Sequence, residues 1–149
     1  MDLILWRHAE AEDGGPDEAR RLTRKGKDQA SRVGRWLRDR VPSYRLLSSP
    51  AARTRETAEG LDPAPELLPA LYAGASVKDV LECAGWPRAE GAVILVGHQP
   101  LLGELAAYLI TRRTESWPMK KGAIWWFRSE ETGRGIQTEL LAVVTPKLA

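Results

Sequence analysis

Apolar runs and helical patterns alternate along this chain, and the alternation predicts repeated strand and helix units. Residues 3–6, 44–48 and 92–96 are short, mostly apolar runs of the kind that form buried strands. The run 92–96 is the most continuous and is therefore predicted to be central. Strands that alternate with helices favour a mostly parallel sheet with helices packed on both faces.

Four segments are predicted to be helices, three from the spacing of their apolar residues and one, after Ser49-Pro50, from its opening residues. The predicted caps or opening residues are Thr23, Ser49 with Pro50, Ser76 with Asp79, and Gln99 with Pro100. The first helix is expected to end before Pro42 and the second near Gly60. The polar segment 9–21 is expected to be an exposed loop. The segment 62–69 holds three prolines and is expected to be a loop or an edge strand.

Two further runs, 123–127 and 139–144, predict closing strands joined through a turn that contains Gly133 and Gly135. This pair is expected to form an antiparallel hairpin. A chain of 149 residues fits one domain of ordinary size. The fold class predicted is therefore α/β: a single three-layer domain over residues 1–149, with a mostly parallel central sheet and helices on both faces.

Composition narrows the classes of partner. The net charge is only +2, and 20 acidic residues are interspersed among the basic ones, so neither a nucleic acid nor a membrane is expected as a partner. The single Cys83 cannot form an intramolecular disulfide, and its place in a helical pattern predicts a core position. No signal peptide or long apolar span is recognisable, which favours a cytoplasmic protein.

The chain has only two histidines, and each follows a predicted strand. The first strand ends in Arg7-His8 and the third in Gly97-His98. The carboxyl ends of parallel strands meet at one edge of a sheet, where open α/β sheets bind their ligands. Both imidazoles are therefore expected to lie at that edge.

Basic residues accompany the two histidines at the strand ends. Arg7 precedes His8, and Arg53 lies in the first turns of the helix after the second strand. Guanidinium groups and helix starts both bind tetrahedral oxyanions, so the edge is predicted to be a phosphoryl site. A neutral His8 could attack phosphorus while a protonated His98 stabilises the developing charge. Arg55 competes with Arg53 for the phosphate-binding role, because only one of the two can face the sheet edge on a helix.

An ordered set of motifs resembles the histidine phosphatase superfamily, also called the phosphoglycerate-mutase-like family. The matching residues are Arg7-His8, Leu22-Thr23 with Gly26 and Gln29-Ala30, Ser49-Pro50 with Arg53 and Thr57, and Gly97-His98. The short chain and its Gly-His-Gln-Pro variant look most like the small SixA-type phosphohistidine phosphatase branch. The resemblance implies a phosphoglycerate-mutase-like fold, a nucleophilic His8, and phosphoryl contacts from Arg7, Arg53 and His98. No cofactor or metal is expected, because two arginines and two imidazoles supply the positive charge that the phosphoryl group needs. The family spacing from Ser49 to Thr57 selects Arg53 over Arg55.

Two departures from the family pattern bear on the substrate. Ala9 stands where the family usually has glycine after the histidine, which narrows the allowed backbone angles. The general acid is not identified: the segment 65–74 is too short for the cap subdomain of larger relatives. The candidates for the acid are Glu10, Glu12, Asp13 and Glu66.

A missing acid favours a phosphoramidate substrate, because the nitrogen of such a substrate can leave as neutral imidazole once protonated. Protein phosphohistidine is therefore the first expectation, and a small phosphomonoester is the second. Two other readings stay open at this stage. One is a phosphate-binding module without turnover; the other is a zinc site formed by His8, Glu10, Glu12 and His98.

Overall fold

The structure is a computed structural model that describes residues 1–72 and 74–149. Within these residues one sheet has six strands: β1 (Asp2–Arg7), β2 (Tyr44–Ser48), β3 (Glu66–Leu67), β4 (Ala92–Gly97), β5 (Ile124–Thr132) and β6 (Gly135–Val144). The helices are α1 (Arg24–Arg38), α2 (Ala52–Glu59), α3 (Val77–Ala84) and α4 (Leu101–Thr111). Short 3₁₀ turns span Asp17–Ala19 and Pro69–Leu71. No helix in the described ranges is long and apolar enough to cross a bilayer.

The strand order is β3-β2-β4-β1-β5-β6, so β4 and β1 are central. Strands β1 to β4 pair in parallel, whereas β5 runs antiparallel to β1 and forms a hairpin with β6. All six residues of β4 are buried, as its continuous apolar run predicts. These observations confirm the mostly parallel sheet, the central 92–96 strand and the closing hairpin.

Two apolar layers cover the two faces of the sheet. Successive strand residues point to opposite faces, so Leu3 and Leu5 join one core while Ile4 and Trp6 join the other. Helices α3 and α4 pack on the first face through residues such as Leu102 and Leu105, and α1 and α2 pack on the second. The three-layer arrangement is therefore confirmed.

The helix predicted to start at Ser49 begins later. Helix α2 starts at Ala52, its N-cap is Ala51, and no side chain caps it. The Ser49 hydroxyl instead contacts a ring nitrogen of His98 at 2.8 Å. Its hydrogen bond from the Ala51 N–H is longer, at 3.3 Å. The residue predicted to cap a helix therefore belongs to the site at the strand ends.

Two burial predictions are wrong. Cys83 is exposed, because the inward face of α3 is already formed by Val80, Leu81 and Ala84. The loop after β1 is not exposed along its whole length: Ala9 is fully buried, and Ala11 forms a bridge to Leu22. The chain is therefore held against α1 for several residues beyond His8.

Candidate active site

The two histidines lie side by side at the carboxyl edge of the sheet. Strands β1 and β4 are paired with Arg7 opposite Gly97, so the next residue of each strand is a histidine. The ring centroids of His8 and His98 are 5.4 Å apart. Both residues are buried, with 7% and 9% of their surface exposed. The structure therefore brings together the two imidazoles that the sequence places at strand ends.

One tautomer of His8 is fixed by the backbone. Its Nδ1 lies 2.7 Å from the carbonyl oxygen of Ala9, and because a carbonyl only accepts, Nδ1 carries the hydrogen. Burial, together with the charges of Arg53, Arg7 and Lys121, lowers the pKa of His8 to about 4, although the hydrogen bond to Ala9 acts in the opposite direction. The ring is therefore neutral at physiological pH, and Nε2 holds a free lone pair, which is what a nucleophilic role would require.

His98 is oriented by a serine and a tyrosine. Its Nε2 is 2.8 Å from the Ser49 Oγ, and the Tyr72 ring meets it edge-on at 5.2 Å between centroids. Burial lowers the pKa of His98 to about 3, and the positive charge of Arg53 acts in the same direction. A Ser49 hydroxyl that donates to Nε2 leaves the hydrogen on Nδ1. Nδ1 is then available as a donor to a bound oxyanion.

Arg7 directly precedes His8 and is paired with Gly97, the residue before His98. The positive charges of Arg7 and Arg53 lower the pKa of both rings. Arg7 donates from Nη1 to the Met119 carbonyl at 2.6 Å. Arg53 is 6% exposed and donates from both Nη atoms to Asp17, at 2.8 Å to its carbonyl and 3.1 Å to its carboxylate. Arg55 is exposed. The geometry therefore places Arg53, and not Arg55, at the sheet edge.

Three donors of this cluster are buried and lack a partner. Within the described residues, five buried side-chain polar atoms make no hydrogen bond, and three of them are Arg7 Nε, Arg53 Nε and His98 Nδ1. A buried donor without an acceptor costs about 1–3 kcal/mol, so a folded protein rarely keeps several together without a purpose. A tetrahedral oxyanion offers acceptors in several directions and would satisfy such a set.

The other motif residues hold the chain that follows His8. The Thr23 hydroxyl caps α1 through the Gly26 N–H and donates to the Glu10 carboxylate at 2.7 Å. Gln29 accepts from the Glu10 N–H at 3.0 Å, and the Glu10 carbonyl packs so closely on Gly26 that no side chain would fit there. These contacts fix the backbone on which His8 sits.

Thr57 links the same segment to α2. Its hydroxyl accepts from the Ala9 N–H at 3.0 Å and donates to the Arg53 carbonyl at 2.7 Å. Within the described ranges, Arg112 is the one non-glycine residue with a positive φ, so Ala9 has ordinary backbone angles and alanine fits in place of the family's glycine. The segment after His8 and the helix α2 that carries Arg53 are thus joined by one buried threonine.

The four carboxylates considered as general acids lie in different surroundings. Glu10 is bound by Thr23, whereas Glu12 and Asp13 are exposed. Glu66 sits on the edge strand β3 and pairs with Arg45 at 2.8 Å. The short insert 65–74, which contains Glu66, also includes Ala73, which lies outside the described residues.

Sequence reasoning did not identify Asp17, although this residue contacts the site directly. Besides its two bonds from Arg53, its carboxylate accepts from the Tyr72 hydroxyl at 2.5 Å. That hydrogen bond, with others from Arg20 and Arg53, lowers the pKa of Asp17 to about 2. Its local sequence, Gly14-Gly15-Pro16-Asp17, indicates only a turn, so no local signal could have predicted the contact with a helix 36 residues away.

We expect Asp17→Ala to lower kcat/KM by about tenfold, because Arg53 loses the carboxylate that orients it. Asp17→Asn should recover most of the activity, since the amide oxygen can still accept from Arg53 and Tyr72. Steady-state kinetics of both variants, with Glu18→Ala as an exposed neighbour for control, measure this. Equal losses in the Asn and Ala variants would show that Asp17 acts through its charge instead.

A second expectation concerns stability in acid. In the unfolded chain each histidine binds a proton near its ordinary pKa of 6.5, but in the folded protein only near pH 4 for His8 and pH 3 for His98. As pH falls below 6.5, the unfolded chain therefore binds more protons, and the free energy of unfolding decreases. The loss by pH 4 is on the order of 3 kcal/mol for each histidine at most.

Urea unfolding at pH 7 and pH 4.5 measures this effect. The double variant His8→Gln/His98→Gln should lose clearly less stability between the two pH values than the natural protein. Equal losses would mean that other groups govern the acid sensitivity.

Among the described residues, no group of three or more His, Cys, Asp or Glu side chains is arranged to hold a metal ion. Of the set considered for zinc, Glu10 hydrogen-bonds Thr23 and Glu12 is exposed, while His8 and His98 have arginines as neighbours. Positive neighbours oppose a cation and favour an anion.

Comparison with known proteins agrees with the geometry. Residues 3–72 match the model of the histidine phosphatase superfamily, branch 1. A phosphohistidine phosphatase SixA homolog of Haemophilus influenzae is 34% identical over 134 residues, covering 76% of this chain and 79% of the relative.

Two solved structures are also similar. The protein histidine phosphatase SixA complexed with tungstate superposes with a TM-score of 0.80 at 27% identity, covering 99% of this chain and 98% of the other. A SixA-type structure from Nakamurella multipartitia gives 0.78 at 25% identity, covering 97% and 95%. The chain therefore belongs to the histidine phosphatase superfamily and, within it, to the SixA type.

Proposed function

We propose that this phosphatase hydrolyses protein phosphohistidine through a phosphorylated His8. The observation that carries the proposal is the meeting of a free Nε2 lone pair on His8 with three unpartnered buried donors, from Arg7, Arg53 and His98. A nucleophile and an oxyanion pocket are the two parts that phosphoryl transfer requires. The similarity to a SixA that binds tungstate, itself a tetrahedral oxyanion, supports the same reading.

In the first step, His8 Nε2 attacks phosphorus, and the bond between phosphorus and the substrate's imidazole nitrogen breaks. The electron pair of that bond stays on the leaving ring, which departs as neutral imidazole because its other nitrogen already carries a proton. Arg7 and Arg53 stabilise the charge on the phosphoryl oxygens, and His98 Nδ1 donates to one of them. The bound dianion also favours the protonated form of His98.

In the second step, water attacks phosphorus and the bond between His8 Nε2 and phosphorus breaks. The proton of the water passes to the released phosphate, and His8 returns to its neutral state with Nδ1 still donating to Ala9. The same two arginines bind the phosphoryl group in both steps. No additional group is needed to balance charge or protons.

The choice of phosphohistidine as substrate rests on the protonation state of the carboxylate that contacts the site. Asp17 is the carboxylate bound to Arg53, and its pKa of about 2 leaves it unprotonated at neutral pH. An alkoxide leaving group needs a proton donor, which typically contributes about 10²–10⁴ in rate, whereas a protonated phosphoramidate leaves without one. With Asp17 ionised, this carboxylate does not supply that proton, which favours a nitrogen leaving group over an oxygen one.

A side-by-side assay tests the proposal. A phosphohistidine peptide, the matching phosphoserine peptide and a small aryl phosphate are compared by kcat/KM, each with and without EDTA. We expect the phosphohistidine peptide to be hydrolysed fastest and EDTA to have no effect. Faster hydrolysis of either monoester would reassign the substrate class, and binding without turnover would indicate a phosphate-binding module. Loss of activity in EDTA that zinc restores would make His8 a metal ligand.

His98→Ala should lower kcat by about 10²–10³, the loss typical of removing one donor to a developing oxyanion. Ser49→Ala, which leaves His98 in place but removes the hydroxyl at its Nε2, should cost less. Single-turnover kinetics separate these chemical effects from substrate binding. Unchanged activity in His98→Ala would place the second imidazole outside the reaction.

A further inference from the structure

A cavity of about 520 Å³ opens beside the candidate active site, and its lining is strongly basic. We call it the basic groove. It lies between α1, the segment that precedes β5 and the end of the chain. Its cationic residues are Lys25, Arg32, Lys120, Lys121 and Lys147. Two carboxylates, Glu10 and Asp28, also line it.

The charge of the basic groove is concentrated, and its lysines are unpaired, whereas Arg32 donates to the Ala149 carbonyl oxygen at 3.4 Å. Five cations against two carboxylates give it an excess of three positive charges, whereas the whole chain carries only +2. Elsewhere, arginines pair with acids, as in Arg45–Glu66 and Arg128–Asp2. No lysine of the groove forms a salt bridge within the part of the chain that the structure describes. The four lysine charges are therefore free to attract an anionic partner.

The basic groove is held in a fixed position relative to His8. The segment that carries Lys120 and Lys121 is anchored on both sides: Met119 accepts from Arg7 Nη1 at 2.6 Å, and the Gly122 N–H donates to the His8 carbonyl at 3.0 Å. On the opposite wall, Gln29 accepts from the N–H of Glu10, two residues after His8. A substrate with its phosphoryl group at His8 therefore presents neighbouring atoms to the groove.

We propose that the basic groove binds an acidic segment of the phosphorylated protein, next to its phosphohistidine. This inference rests on the proposed function, because the acidic segment flanks the phosphohistidine of a protein substrate. The two carboxylates in the lining favour a polypeptide over a nucleic acid. A continuous phosphate backbone would meet Glu10 and Asp28, whereas separate acidic side chains can contact the lysines and avoid them.

The first test measures binding without chemistry. A fluorescently labelled peptide of nine residues rich in glutamate is titrated with the full protein, and its glutamine analogue serves as the reference. The groove variant is Lys25→Glu/Lys147→Glu, and the matched control is Lys27→Glu/Lys78→Glu, which changes the net charge equally at exposed positions outside the groove. We expect the groove variant to bind the glutamate peptide at least tenfold more weakly, and the control variant to bind it nearly as well as the natural protein.

The second test measures turnover. With a phosphohistidine peptide flanked by glutamates, kcat/KM should fall by about tenfold in the groove variant, whereas free phosphohistidine should be hydrolysed at an unchanged rate. Equal binding of the glutamate peptide by both variants would overturn the inference, as would tighter groove-dependent binding of a single-stranded oligonucleotide. If the peptide binds as expected but no phosphohistidine is hydrolysed, binding of an acidic segment by the basic groove is supported and the proposed function is contradicted.

Discussion

His8→Ala should abolish turnover and leave the protein folded. The variant lacks the Nε2 lone pair that attacks phosphorus, and neither His98 nor water can take its place in the same position. Removal of a nucleophile typically costs at least about 10⁴ in kcat. The loss should appear with every substrate, because each would pass through the same phosphorylated histidine.

The control for this prediction is the fold. Circular dichroism and thermal unfolding at pH 7.5 should resemble those of the natural protein, since the His8 side chain bonds the Ala9 carbonyl and belongs to none of the three apolar clusters. The variant should also still bind inorganic phosphate or vanadate through Arg7, Arg53 and His98. A folded variant that retains more than a small fraction of kcat would remove His8 from the role of nucleophile.

Arg53→Ala should give the second largest effect, with losses in both phosphate affinity and kcat. The Arg53 guanidinium is buried beside both imidazoles, and its unpartnered Nε would contact the phosphoryl group in the ground state and in the transition state. A donor of this kind contributes about 10²–10³ in rate. Inhibition constants of phosphate measure the loss of affinity, and single-turnover rates measure the loss in the chemical step.

Arg55→Ala is the matched control, because it removes the same side chain two residues away at an exposed position. We expect its kcat/KM to stay within about twofold of that of the natural protein, as for most exposed substitutions. A strong loss in Arg55→Ala with a mild effect in Arg53→Ala would contradict the orientation of α2.

The sequence is sufficient to predict the parts of the fold that depend on local patterns. Continuous apolar runs mark β1, β2 and β4, and the Thr23 and Ser76 caps mark the starts of α1 and α3. The meeting of His8 and His98 follows from two parallel strands that end in register. Such features need only strand periodicity and the rule that parallel strands share an edge.

The remaining features depend on contacts between distant segments. Ser49 has the local sequence of a helix cap, but the position of β4 brings His98 within 2.8 Å of its hydroxyl. Asp17 lies in an ordinary turn and reaches Arg53 and Tyr72 only after the chain has folded. The basic groove likewise combines α1 with residues 120–121 and 145–147. Its basic residues are dispersed along the sequence, so no local pattern predicts that they meet.

Detection of the phosphorylated enzyme tests the central claim most directly. The protein is mixed with a ³²P-labelled phosphohistidine peptide and quenched in alkali within milliseconds, and the label is located by mass spectrometry. Covalent catalysis predicts a transient phosphate on His8 that survives alkali, disappears on brief treatment with acid, and is absent from His8→Ala. Turnover at full rate without any label on His8, or with an acid-stable label on another residue, would contradict it.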